Sequence, residues 1–358
     1  MKKNITFVFN EGRAKRLEKD TNGPKEFFYS YNFFQKDNQN TNLIELQSKK
    51  KGGFYFFFKL IRKISKIPIY TEGLIDKDNL KVLFHSKSLI ATNQNIGYSL
   101  LPLLKISRNN EIKFYTFIMG FLQNSRKNIF NNFMIKSLIK TATLLLFISK
   151  NELDEAKKRF PNFSEKFIYV PFCIDTKFWF PNSSKVKTKN ILFIGNDSNR
   201  DFDFLLDLAE EMKDFNFSIV TDKIKSCNLQ NVNLINGNWR EETLTDLEIK
   251  KLYSENFLSI IPLKNSFQPS GQSVALQSMS MKTPPIITNT DGFWDKESFI
   301  NQENIFFMNS NLVDEWRDQI NLIYNDDDLY KKVAIGGNNL VQKYFDIKMQ
   351  YEILLKII

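Results

Sequence analysis

Cysteine is nearly absent from this chain: its 358 residues include two, Cys173 and Cys227. They lie far apart with no metal-ligand spacing, which argues against a disulfide framework and fits a reducing compartment. Histidine is scarcer still. His85 stands alone in "KVLFHSKSLIATNQ" and reads either as a surface or packed residue or as a catalytic one. No apolar run approaches the ~20 residues of a membrane-spanning helix, and the longest, Ala142 to Ile148, is strand-sized. The opening "MKKNITFVFNEGRAK" sets two lysines before an apolar run of roughly five residues, short of the ~7–15 of a signal peptide. A cytoplasmic protein is expected. No Asp-x-Asp pair directly follows a strand in the second half, so no metal is expected. No RNA-binding signature or recognition-helix pattern is present, so no nucleic-acid partner is expected either.

What the chain has is apolar residues, 42% of the total, enough for two domains of ordinary size. It also has lopsided charge. Residues 1–180 hold 31 Lys+Arg against 15 Asp+Glu, a net of +16; residues 181–358 hold 19 against 25, a net of −6. The first half either faces an anionic partner or carries a solvated lysine surface.

Periodicity gives the fold class. "NITFVFN", "TNLIEL", "LIATNQ", "KFYTFIMG" and "TLLLFIS" read as strands, alternating with helices such as "FYFFFKLIRKISK" and "FNNFMIKSLIKTA". After the linker Pro181 to Asn190 the alternation restarts with "ILFIG", "FNFSIVT", "VNLING", "FLSIIPL" and "PPIITNT" as strands. Such alternation implies parallel βαβ units. The chain is therefore expected to be α/β, with two Rossmann-like doubly wound domains, 1–180 and 181–345, and a last helix over 346–358.

Ligands of open α/β sheets sit beyond the carboxyl ends of the strands. In the second half those loops collect Arg200, Arg240, Lys264 and a helix start at Ser270 to Ser273. Backbone N–H groups and the helix dipole would make an anion site there, Gly271 would let a phosphate approach, and Arg200 and Lys264 would neutralise a diphosphate. The bland alternative is that Ser270 caps a helix and Gly271 turns the chain.

The segments "LFISKNELDEAKKRFPN", "FIYVPFCIDTKFWFP", "FIGNDSNRDFDFLLDLA" and "YSENFLSIIPLKNSFQPSGQSVALQSMSMKTPPIITNTDGFWD" resemble the group-one glycosyltransferases. These are retaining enzymes of the GT-B type, two Rossmann-like domains facing across a cleft. The similarity covers roughly residues 140–345 well and the first 140 loosely. It implies a glycosyltransferase that moves a sugar from a nucleotide-sugar donor to a glycan or lipid-linked acceptor, as in polysaccharide biosynthesis, with no cofactor. Arg200 and Lys264 match the basic pair on the diphosphate, and Ser270, Gly271 and Gln272 match the phosphate loop. Asn196 joins the donor set, Val170 to Trp179 matches the hinge, and the last helix would pack back on the first domain. Gly12 and Arg13, after the first strand, would reach towards the diphosphate.

The departures from the family are specific. Its Glu, seven residues, Glu pattern falls here on Pro269, beside Gln268, and on Gln277. An amide oxygen can still accept a ribose hydroxyl, at a loss of roughly 1 kcal/mol. The family's His position falls on Met119. No catalytic side chain is assigned. Either the leaving diphosphate itself takes the acceptor proton, or the chain is a noncatalytic GT-B-like protein that binds a nucleotide sugar or a partner. Residues 49–66, "KKKGGFYFFFKLIRKISK", read either as an interfacial helix on an anionic membrane or as an aromatic core helix with basic edges.

Overall fold

The computed structural model describes residues 4–19, 22–37, 40–48, 52–107, 111–122, 129–181, 187–238, 241 and 243–358. Arg240, residues 49–51 of the basic segment and 182–186 of the linker lie outside these. The chain divides into two compact units, Met1–Pro171 with Gln350–Ile358, and Phe172–Met349. The division thus falls before Phe172, not at 181, for a physical reason. Trp179 is fully buried in the second unit, edge-on to Tyr253 at 5.9 Å, and its carbonyl accepts from the Ser280 hydroxyl. That anchoring takes the residues before the linker into the second core.

The first unit holds β1 (Asn4–Asn10), β2 (Asn40–Leu46), β3 (Ser88–Ala91), β4 (Lys113–Ile118), β5 (Leu144–Phe147) and β6 (Phe167–Tyr169). They form one sheet in the order β2-β1-β3-β4-β5-β6, parallel throughout. The second unit holds β7 (Asn190–Ile194), β8 (Asn216–Thr221), β9 (Val232–Asn236), β10 (Leu258–Ile261), β11 (Pro285–Thr288) and β12 (Phe306–Met308). Its sheet, also parallel, runs β12-β11-β10-β7-β8-β9. Both are doubly wound, as the alternation predicts. Helices on both faces explain why strands such as β10 and β11 are buried end to end and read as nearly continuous apolar runs. Two of the polar exceptions are paired: Ser259 in β10 meets the Ser278 hydroxyl at 2.6 Å, and Thr6 in β1 meets Ser86 at 2.7 Å.

Local chemistry fixes the helix ends. Thr245 and Glu248 form a reciprocal capping box on the helix Asp246–Glu255. The Lys166 ammonium donates to the carbonyls of Ile139, Lys140 and Ala142, closing the end of the helix Ile129–Thr141. Residues 350–358 dock within the first unit: Gln350 donates to the Pro171 carbonyl at 2.9 Å, Tyr351 bonds Asp37, and the Tyr115 hydroxyl donates to the Ile357 carbonyl at 2.9 Å.

Strand order reverses between β7 and β10 in the second unit and between β1 and β3 in the first. A doubly wound sheet opens a crevice at such a point, outside the carboxyl ends of the strands.

Candidate functional site

At the reversal in the second unit, the loops after β7 and β10 are stitched together. Arg200 and Leu263 form an antiparallel bridge, the Lys264 N–H donates to the Asn199 carbonyl at 2.8 Å, and the Asp201 N–H to the Pro262 carbonyl at 3.1 Å. The Arg200 side chain lies inside this seam, only 3% exposed. Two glycines make room for it. A Cβ on Gly195 would stand 2.5 Å from its Nε, and one on Gly271 would stand 3.3 Å from its Nη1. Nε donates to the Asp197 carboxylate at 2.8 Å, whereas Nη1, buried beside Gly271, has no partner among the described residues.

Gly271 has φ +81 and is the N-cap of the helix Gln272–Ser280, which no side chain caps. Gly271, not Ser270, takes the N-cap position, and the Ser270 hydroxyl accepts from the Asn199 amide at 2.8 Å. The uncapped helix start, positive by its dipole, therefore lies next to an incompletely paired guanidinium. Lys264 is exposed on the same loop. Of the residues expected at the donor site, the structure brings Arg200, Lys264, Ser270, Gly271 and Gln272 together.

Two others have internal occupations. Asn196 is a clamp: its amide donates to the Gly237 carbonyl at 2.7 Å, while its oxygen accepts from Thr221 at 2.9 Å and from the Asp222 N–H at 2.8 Å. It ties the loops after β7, β8 and β9. Gln277 is buried, and its oxygen accepts from the Tyr253 hydroxyl at 3.2 Å, on a tyrosine with no exposed surface. The loop after β11 is pressed against the site by Gly292, where a Cβ would stand 2.5 Å from the Ser266 carbonyl. Asn265 and Asp291 add two reciprocal hydrogen bonds, at 3.0 and 3.1 Å.

Gly12 and Arg13 belong to the first unit. Gly12 has φ +97, and the Arg13 guanidinium stacks 5.3 Å from the centroid of Phe27. Met119 is gripped at both ends by Gln94, which donates to its carbonyl at 2.6 Å and accepts from its N–H at 3.1 Å. His85 precedes β3, at the amino edge of that sheet, and is exposed with Nδ1 2.7 Å from the carbonyl of Lys81. It is remote from the ligand edge.

Sequence reasoning missed Glu152. Its carboxylate is buried at the carboxyl edge of the first sheet and accepts three consecutive N–H groups, Gly120 at 2.9 Å, Phe121, and Leu122 at 3.3 Å. Burial pushes its carboxyl up to about 7, against those three bonds, which favour the charged form. The signal was Ser149-x-x-Glu152, a capping-box spacing. Ser149 does accept the Glu152 N–H, but the carboxylate turns away to hold the loop after β4.

No protein-family model matches the sequence, and neither does any curated protein. Solved structures share the fold. A glycosyltransferase from Rickettsia africae ESF-5 superposes with a TM-score of 0.64 at 14% identity, covering 100% of this chain and 98% of that one. Sucrose-phosphate synthase from Thermosynechococcus elongatus gives 0.70 at 12%, with 99% and 98% covered. Anabaena HepE in complex with UDP and glucose gives 0.66 at 12%, with 99% of each chain covered. Each unit has the doubly wound α/β fold that the sequence resemblance implies, and these structures share it along the whole chain.

Two predictions follow from these bonds. In Gln277→Leu the Tyr253 hydroxyl loses its 3.2 Å acceptor, so stability should fall by about 1 kcal/mol at unchanged nucleoside-diphosphate affinity. Melting and titration read both quantities, and lost affinity at an unchanged melting temperature would return Gln277 to the ribose. Glu152 gives a pH signature. Because its folded pKa of about 7 lies above the ordinary 4.5, its contribution is complete below 4.5 and is lost as pH rises through 7. The loss is on the order of 3 kcal/mol. Glu152→Gln should flatten that part of the melting-temperature profile, and an unaltered profile would refute the assignment.

Proposed function

We propose that the second unit binds a nucleotide-sugar donor and that the protein transfers the sugar to a glycan or lipid-linked acceptor, as a hexosyltransferase of polysaccharide assembly. The observation that carries this reading is the buried Arg200 guanidinium, partnerless at Nη1, beside an uncapped helix start at the point where strand order reverses. A diphosphate seated at the start of this helix would meet the guanidinium and the positive end of the helix dipole together. The UDP and glucose in the HepE complex support it.

In transfer, the bond from the sugar's anomeric carbon to the diphosphate oxygen breaks and a bond to the acceptor oxygen forms. The hydroxyl proton passes to the leaving diphosphate. Charge grows on that diphosphate as the bond opens, so donors preset around it lower the barrier without reorganising. Arg200, Lys264 and the helix N–H groups are those donors. We take retention of anomeric configuration as part of this reading. Among the described residues no helix is long and apolar enough to cross a membrane. The protein would work in the cytoplasm, with peripheral membrane contact through residues 49–66 where the acceptor is lipid-linked.

A second reading has its own support. Pro269 offers no carboxylate to the sugar, and Gln277 is engaged by Tyr253. A noncatalytic nucleotide-sugar binder would fit that depletion. Donor turnover over a broad acceptor panel separates the two: product formation establishes the enzyme, and binding without turnover or hydrolysis establishes the binder.

Lys264→Ala, on an exposed side chain, should weaken nucleoside-diphosphate binding by about 1.5–3 kcal/mol without lowering the melting temperature. Arg200→Met should weaken it as much and also cost stability, because a buried side chain between two loops is replaced. Isothermal titration measures both, and full affinity in both variants would sink the donor site. Binding should also persist in a chelator, since lysine, arginine and the helix terminus supply the positive charge. Loss on chelation with rescue by magnesium or manganese would overturn that point.

A further inference from the structure

We infer that the helix Gly53–Ser65 docks the protein flat on an anionic lipid bilayer, with Phe54, Phe57, Leu60 and Ile64 entering the boundary between headgroups and acyl chains. The helix is attached to the first unit by its other side. Phe58 and Ser65 are buried, and the Arg62 guanidinium donates to the Glu72 carboxylate at 2.7 Å and lies 4.6 Å from the centroid of Tyr70. A charge-assisted bond of this kind holds the helix in place without using its apolar stripe.

That stripe faces outward. Phe54, Phe57, Leu60 and Ile64 follow at spacings of three, three and four, one face of a helix, and Phe56 stands beside them. All five are between 47% and 65% exposed. Lys59 and Lys63, both exposed, continue the row that Phe56 begins. The helix contains no acidic residue, and residues 49–66 hold seven basic ones and none of opposite sign. The neighbouring helix Ile129–Thr141, which packs against it, repeats the composition. Phe130 and Phe133 are exposed, Lys136 and Lys140 follow on the same row, and acids are absent.

The charge pattern selects the occupant. A protein partner of an aromatic patch would disfavour lysine within it, since lysine is depleted from protein interface cores. An anionic bilayer takes both: phenylalanine and leucine sink below the headgroups, while lysines alongside reach lipid phosphates. At 13 residues the helix is about 20 Å long, too short to span the hydrocarbon layer, so it lies in the surface plane. This deepens the acceptor reading by favouring the lipid-linked class, and so rests on it for biological meaning.

The test is co-flotation of the whole protein with vesicles of pure phosphatidylcholine and of equimolar phosphatidylcholine and phosphatidylglycerol. UDP-induced thermal shift is measured on the same preparations. Wild type should float with the anionic vesicles and remain behind with the neutral ones. Lys59→Ala/Lys63→Ala should lower anionic partitioning about 30-fold, and Phe54→Ser/Phe57→Ser should abolish it, with the UDP shift intact in both. Wild type that ignores anionic vesicles, or variants that partition as wild type does, would overturn the docking while a UDP shift left the donor site standing. Vesicle binding without any nucleotide shift would do the reverse. Self-association lost in Phe54→Ser/Phe57→Ser, with no vesicle binding, would give the face to a second copy of the chain and overturn the lipid assignment.

Discussion

The buried guanidinium of Arg200 is the constraint around which the ligand edge of the second unit is arranged. A charge taken out of water must be paired, and Asp197 pairs only the Nε side, from a partly exposed position. Room for the group requires glycine on both flanking loops, and the backbone must close over it, which the Arg200–Leu263 bridge does. Gly271 then has to be the N-cap in a left-handed conformation, so the helix after it starts without a side-chain cap. The buried charge, the loop seam, the glycines and the helix start thus form one packed arrangement, in which Gly271 also yields to Ile261. The result gathers positive potential from two sources at one point, and an anion relieves both.

The first unit shows the opposite sign under the same rule. Glu152 buries a carboxylate and supplies it with three backbone donors rather than a cation. Burial still outweighs those bonds, which places its titration near neutrality. The cost is repaid in geometry. The loop after β4 is held at Met119 by Gln94 and at the next three residues by Glu152, so the position where the family resemblance implies a histidine is rigid.

Strand–helix alternation made both sheets legible, because a parallel sheet covered on both faces forces apolar runs that periodicity detects. The basic residues and Gly271 on the strand-end loops were legible too, since βα loops must lie at one edge. What escaped was long-range pairing. Asn196 reads as a free polar loop residue until Thr221 and Gly237 are seen to occupy it. Gln277 reads as a ribose acceptor until Tyr253, on another helix, is found to donate to it. Glu152 hid behind a local pattern: its spacing to Ser149 satisfies a capping box, and nothing local reveals that its carboxylate is directed 30 residues back along the chain. The boundary was misplaced for a related reason, since the turn and prolines mark the linker while Trp179 decides which core owns the residues before it.

At the proposed donor site, the scarcity of acid bears on chemistry more than on grip. Binding a diphosphate and stabilising it as a leaving group draw on the same donors, because the charge they meet in the ground state increases along the reaction. Replacing a carboxylate by Pro269 leaves that apparatus intact and removes a negative charge that would have offset it. The loss falls on the sugar, whose hydroxyls lose an acceptor that could orient the ring for attack. On the proposed reading, a site of this composition holds its donor by the phosphates and positions the sugar weakly. Its selectivity among donors must then come mainly from the base, the diphosphate and the shape of the pocket. In the proposed site, binding and turnover are therefore separable properties.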